Sequence, residues 1–186
     1  TLFSSYAVMS AAAPEALERS QWHSGVGFAD LRMFLHYFRR TPDGRVLMGS
    51  GSGPIAFGAN FTASGMTDDV ASIRRAERGL RRLLPEFAQV PIESAWGGAI
   101  DVSADRYPFV LTRPGSRVHL AGGFSGHGIN PSYIAAQCLV SRILGVHDFW
   151  SRLPVATRSL PKLPPEPLRC LGVRIVRRAI LACETA

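Results

Sequence analysis

The sequence predicts an α+β fold, a mixed and largely antiparallel sheet with flanking helices. Three observations carry that expectation. Two β-rich runs meet at Pro42-Asp43-Gly44, two arginine-laden segments repeat their apolar residues at helical spacing, and a strand near Val118 feeds a glycine-rich turn that opens a helix.

In chain order, Leu2 to Met9 alternates well enough to be a strand, and Pro14 to Arg19 offers one short helical turn. Leu31 to Arg40, rich in aromatic residues, reaches Thr41-Pro42-Asp43-Gly44 and continues as Arg45 to Met48. That is a hairpin with a mechanism: Pro42 presets one turn dihedral and Gly44 supplies a positive φ. Gly49 to Gly65 reads as a glycine-rich loop. Thr67, with Asp68 and Asp69 behind it, marks a helix start, a capping hydroxyl followed by acids at the positive end of the helix dipole. Val70, Ile73, Leu80, Leu83 and Leu84 then share one face, and Arg74, Arg75, Arg78, Arg81 and Arg82 form a solvated opposite face. Pro85 ends the helix. Strands are expected at Ile92 to Val102, Phe109 to Thr112 and Val118 to Ala121, and a helix over Pro131 to Leu144. His147 to Pro167 is proline-rich and reads as an extended arm over the surface. A last helix, Glu166 to Cys183, separates Leu168, Leu171, Ile175, Val176 and Ala179 from most of Arg169, Arg174, Arg177 and Arg178. Docking on the rest of the protein is favoured for it over a membrane-surface role.

The bulk numbers describe a folded protein. The 186 residues are 46% hydrophobic and 19% charged, without a low-complexity tract. No run approaches the roughly 18 apolar residues of a membrane span. The chain opens on Thr1 and what reads as a strand in progress, pointing to a chain cut from something longer. Cys138, Cys170 and Cys183 are odd in number and far apart, so free thiols and a cytoplasmic location are expected. Net charge is +7, almost all of it arginine, since Lys162 is the one lysine. The aromatic and basic interleaving of a single-strand platform is missing, so no nucleic-acid partner is expected. Among His23, His36, His119, His127 and His147 no pair has metal-ligand spacing, so no metal is expected either.

The informative stretch is Trp96 to Ile129. A strand delivering glycines into a helix N-terminus makes an anion-friendly spot, because unpaired backbone N–H groups and the helix dipole point outward together. Glycines also let a flat ring approach the main chain. The spacing is Gly-x-x-Gly-x-Gly, the reverse of the dinucleotide fingerprint, with no acidic residue at the ribose distance. On spacing alone, a tight turn without a ligand fits equally well.

Ala121-Gly122-Gly123-Phe124-Ser125-Gly126-His127-Gly128 resembles the late flavin-contacting motif of the D-amino-acid oxidase superfamily of FAD-dependent oxidoreductases, which includes sarcosine oxidase, glycine oxidase and γ-glutamylputrescine oxidase. Trp96-Gly97-Gly98-Ala99-Ile100-Asp101 with Asp105-Arg106-Tyr107-Pro108 resembles the family's preceding strand. Tyr37-Phe38-Arg39-Arg40-Thr41-Pro42-Asp43-Gly44-Arg45 resembles its substrate-sheet hairpin. The likeness covers most of residues 2–145. It implies the C-terminal portion of such an enzyme: a substrate sheet over residues 1–105, the last strand and helix of the FAD-binding domain over 106–145, and a proline-rich arm with an amphipathic helix over 146–186.

The resemblance further implies that FAD is the cofactor, with Gly98, Gly123, Phe124, Ser125, Gly126, His127, Gly128 and Ile129 near it. Gly126 to Ile129 would meet the ring edge, while Phe124 and Ser125 shape the turn. Gly98 stands where some sarcosine oxidases carry a flavin-linking cysteine, so a non-covalent cofactor is implied. His36 stands where other members keep a pocket tyrosine. Asn130 and Ile100 occupy positions where carboxylate-binding members place a lysine or arginine, which favours an amine substrate or one with a remote carboxylate. The implied reaction is oxidation of a C–N bond to an imine, with dioxygen as acceptor.

The cofactor's strand–Gly-x-Gly-x-x-Gly–helix is not found, and Gly49-Ser50-Gly51-Ser52-Gly53-Pro54 opens no helix. The expected partner is therefore a missing N-terminal FAD-binding segment, the chain alone being inactive and prone to self-association. Two rival readings remain. A serine hydrolase would use Ser125, but the nucleophile elbow needs Gly-x-Ser-x-Gly and His127 takes the final position. A non-catalytic binding domain derived from the same fold is the other.

Overall fold

A computed structural model describes all residues except Ser64 and Ala186, with Thr185 described by its backbone alone. The chain divides into two compact units, Phe3–Ala99 with Glu166–Ala186, and Ile100–Pro165 with Thr1–Leu2.

The larger unit is built on a sheet of β1 (Leu2–Ser10), β2 (Phe28–Ala29), β3 (His36–Arg40), β4 (Val46–Ser50) and β5 (Ile92–Asp101), in the order β2-β3-β4-β1-β5. The pairs β2–β3, β3–β4 and β1–β4 are antiparallel. The hairpin closes as expected. The Thr41 N–H donates to Arg45 O at 2.9 Å, and Gly44 takes φ 82°.

Register sorts the side chains onto two faces. His36 and Tyr6 both pair with Ser50, and Phe38 and Val8 both pair with Met48. With period two, these residues look one way and Tyr37, with its partner Gly49, looks the other. Helix α1 (Pro14–Arg19) lies between β1 and β2 in sequence, and α2 (Val70–Leu83) covers the first face. Val8, Val46 and Met48 from the sheet pack with Ala76, Leu80, Leu84, Phe87, Leu17 and Trp22. A fully buried leucine such as Leu80 contributes about 1.5–3 kcal/mol of transfer free energy. Tyr6 is buried with its hydroxyl satisfied: it donates to Gly65 O and accepts from the Asp69 N–H at 2.9 Å, fixing the entry to α2.

The smaller unit pairs β6 (Phe109–Thr112) with β7 (His119–Gly122) and packs α3 (Ile129–Leu144) on them. Residues 146–165 are not simply an extended arm. They carry a 3-10 turn, Trp150–Arg152, and a short α4 (Pro154–Thr157), and Trp150, Leu153, Val155 and Ala156 join Val110, Ala135 and Cys138 in this unit's core. Arg142 ties the segment down by donating to the Ala156 carbonyl. The two units meet in the chain at 99/100, and 146–165 lies in the same unit as α3.

The last helix, α5 (Leu168–Thr185), belongs to the larger unit and turns its polar edge inward. Arg177 donates to the Ser52 and Gly53 carbonyls at 2.6 and 2.9 Å, while Leu168, Leu171, Ile175 and Val176 stay exposed. Glu166 caps its start, accepting from the Cys170 N–H and from Arg169. The arginines of α2 likewise divide. Arg74, Arg78 and Arg82 are exposed, but Arg75 bonds Ser52, and Arg81 bonds the Phe87 and Val90 carbonyls and Glu77.

Candidate functional site

The glycine-rich turn between β7 and α3 is held from below by Asp101 at the end of β5. Its carboxylate accepts the Gly123 N–H, and its carbonyl accepts the Ser125 N–H at 2.9 Å. Gly123 and Gly126 take φ 74° and 86°, in the left-handed region, and Ser125 joins them at 54°. The Ser125 hydroxyl donates to Gly123 O at 3.1 Å, so it serves the turn it sits in. Phe124 packs into the unit's core.

The turn spends only some of its donors. The His127 N–H goes to Phe124 O. Among the described residues, no acceptor takes the N–H of Gly126, Gly128, Ile129 or Asn130, and no side chain caps α3. The first four N–H groups of a helix have no partner within it, so these donors and the helix dipole present a positive end outward. Gly126, His127, Ile129 and Asn130 are exposed there, with Ile129 at 92%. A side chain at Gly128 would grow toward Phe124, at 3.4 Å, and one at Gly126 toward Ile100 Cδ1, at 3.7 Å.

Ile100, Gly123 to Ile129 and Asn130 therefore come together in one unit. Gly98 and His36 fall in the other. Gly98 is open, with nothing within 4 Å of a built Cβ, whereas Gly97 lies against the Tyr6 ring. His36 is buried beneath α2, its Nδ1 3.0 Å from Asp30 Oδ2 and its ring against Gly79. Burial opposes ionisation of Asp30, but hydrogen bonds from the His36 N–H, the His36 ring and the Arg32 N–H outweigh it and hold the carboxyl below its ordinary value. The side chain on the sheet's other face at this level is Tyr37, which the sequence reading did not single out. Its ring lies over Gly49, with its hydroxyl 3.5 Å from Ser5 Oγ. Strand alternation is the signal that separates Tyr37 from His36.

His127 does not serve Ser125 as a base. Its Nδ1 lies 3.1 Å from the Ser125 carbonyl oxygen rather than the hydroxyl. In the same unit Arg158 pairs with Asp105 and donates to Tyr107 O at 3.0 Å. Burial works against the Asp105 carboxylate, and bonds from the Tyr107 N–H and Arg158 overcome it and lower its pKa. This brace holds the β5–β6 loop to the segment after α4.

The unpaired donors fit the carbonyl edge of an isoalloxazine, and the glycines at 126 and 128 leave the main chain approachable. A glycine-turned helix start of this kind, in a chain that also carries an antiparallel sheet, is compatible with a flavin site. The profile of the D-amino-acid oxidase (DAO) family, described as FAD dependent oxidoreductase, matches residues 2–142. The chain belongs to that family.

Two curated relatives agree. The chain is 36% identical over 106 residues to "Probable oxidoreductase OrdL" of Rhizobium meliloti, covering 56% of this chain and 22% of that protein. It is 28% identical over 131 residues to gamma-glutamylputrescine oxidoreductase of Escherichia coli, covering 70% and 28%. The matched segment is thus about a quarter of those relatives' length. Glycine oxidase from Geobacillus kaustophilus shares the fold with a TM-score of 0.60 at 20% identity, over 88% of this chain and 40% of that one. A fructosyl peptide oxidase does so at 0.61 and 13%, over 92% and 43%. Among the described residues no helix is long and apolar enough to cross a membrane.

Proposed function

We propose that this chain is the C-terminal part of an FAD-dependent enzyme that oxidises the C–N bond of an amine to an imine, with dioxygen as final acceptor. The observation that carries the reading is the set of unpaired N–H donors at Gly126, Gly128, Ile129 and Asn130. FAD, when bound, supplies the hydride acceptor. The unpaired N–H groups of Gly126, Gly128, Ile129 and Asn130 would hold the ring's polar edge, offering preorganised donors that need not reorient to negative charge developing there. Asp101 keeps the turn in shape by holding the N–H groups of Gly123 and Ser125.

Ile100 borders this turn and offers no charge to a substrate carboxylate, and Asn130 offers none at the helix start. Both favour an amine. On the sheet, Tyr37 takes the role of pocket tyrosine, because it faces away from α2 and His36 does not. FAD is held without a covalent bond at Gly98. Polypeptide outside these 186 residues supplies the pyrophosphate site, a reading supported by the greater length of the relatives. A cytoplasmic location accords with three free cysteines.

Gly128→Val in the full-length enzyme tests the ring contact. The branched side chain presses on Phe124 and displaces the donors of the turn, so flavin content falls or anaerobic flavin reduction slows, by about a hundredfold if one donor is lost. Normal content with a normal rate removes the contact. Stopped-flow reduction with an amine and its α-carboxylated analogue tests the substrate class, and preference for the analogue overturns the amine assignment.

A further inference from the structure

The larger unit carries a cleft of about 480 Å³ lined by Arg32, His36, Arg75, Arg78, Gly79, Arg82 and Glu184. Four arginines line one space. Arg75, Arg78 and Arg82 stand three and four residues apart on α2, so they form one stripe along the helix. Arg32 comes from the segment between β2 and β3.

The acids nearby, Asp30 and Glu184, offset only part of this charge. Glu184 accepts the backbone N–H groups of Met33 and Phe34, at 2.7 and 3.3 Å. Asp30 is taken up by the His36 N–H and ring and by Arg32, whose Nε is 3.5 Å away. Arg75 spends one nitrogen on Ser52. Among the described residues no hydrogen bond or ion pair engages Arg78 or Arg82.

An independent observation points to the same place. His36 is 5% exposed, and its Nε2 is buried without a hydrogen-bond partner. An unpartnered buried polar atom in a native interior calls for a ligand or water to complete it. The imidazole reaches its position because Gly79 has no side chain: a Cβ there would stand 2.4 Å from Cδ2 and 2.7 Å from Nε2.

We propose that this cleft binds a phosphate-type oxyanion, carried either by free inorganic phosphate or by a phosphorylated small molecule. Guanidinium forks match tetrahedral oxyanions through paired N–H donors, which is the arrangement that Arg78, Arg82 and Arg32 offer. The volume leaves room for an ester group beyond the phosphate itself. The site lies on the α2 side of the sheet, so it is separate from the pocket assigned to Tyr37, and it does not rest on the oxidase reading.

Calorimetric titration of the 186-residue protein at fixed ionic strength tests the proposal, with inorganic phosphate and phenyl phosphate as probes. The expected result is saturable binding at one equivalent, weakened at least tenfold by Arg78→Gln and by Arg82→Gln. Both residues are exposed and unpaired, so both variants are expected to fold. Arg174→Gln, an exposed arginine of α5 outside the cleft, is the charge control and should change affinity less than twofold. The His36 ring nitrogen signals should shift on saturation. Tighter binding of phenyl phosphate assigns a phosphorylated ligand, and equal binding assigns free phosphate; both support the site. No saturable binding, or equal weakening in Arg174→Gln, overturns it.

Discussion

Gly53 sits where a side chain has no room. A Cβ there would stand 2.2 Å from Ser4 Oγ and 2.3 Å from Ser4 O, and the latter is backbone that cannot swing aside. The Gly53 N–H also donates to Ser4 O at 2.9 Å, so moving the loop breaks a hydrogen bond. Gly53→Ala should destabilise the protein by about 1–3 kcal/mol, read from a denaturant midpoint at unchanged slope; wild-type stability would show that the loop yields freely. Asp30 makes a prediction about pH. Its folded pKa lies below the ordinary value of 3.8, so its charge stabilises the fold at pH values above 3.8. That contribution is lost as pH falls through the lower folded value. Thermal melts of wild type and Asp30→Asn should therefore differ at pH 6 and converge in the acid range; a constant gap from neutral to acid pH contradicts the assignment.

Helix α2 starts two positions later than a cap at Thr67 would place it. Thr67, Asp68 and Asp69 are all competent caps by residue type, yet Asp69 is the residue whose carboxylate accepts the Ser72 N–H, at 2.8 Å. Tyr6 makes the choice by accepting the Asp69 N–H from a strand more than sixty residues away. Asp69→Ala should cost about 1 kcal/mol, and Thr67→Ala only a few tenths. Equal losses measured by chemical denaturation would return the cap to Thr67. Helix α5 teaches a related point. Its two faces are plain in the sequence, but amphipathicity does not say which face turns inward. The carbonyls of Ser52 and Gly53 draw in Arg177 and leave the apolar stripe outside.

Across the whole molecule, exposed apolar surface gathers on α3. Ile129, Tyr133, Val140, Ile143 and Leu144 are each more than half exposed, and Ile134 is 41% exposed. The Leu168 to Val176 stripe of α5 is a second exposed apolar face, in the other unit, and contiguous patches beyond a few hundred Å² are unusual for monomers. The 186-residue chain by itself is expected to self-associate, with light scattering showing mass that grows with concentration. A clean monomer at high concentration would show that these side chains tolerate water.

The sequence by itself determined the α+β class, the hairpin, both long amphipathic helices and the strand–turn–helix of the flavin motif, because each depends on local chemistry. Pro42 and Gly44 dictate the turn at any position in a fold, and Gly123 and Gly126 permit φ values that most residues avoid. The family was legible from the same residues, since Gly126, His127 and Gly128 keep their order and spacing whatever surrounds them. Only the tertiary structure decided which neighbours each face meets. It put His36 under α2 and Tyr37 on the other side, a difference of one residue that strand alternation cannot orient without knowing where the helix lies. It folded 146–165 onto α3, because burying Trp150, Leu153 and Ala156 outweighs the proline-rich preference for extension. The arginine cleft also needed three dimensions, as Arg32, His36, Arg78 and Glu184 come from segments far apart in the chain, and no local pattern records that they meet.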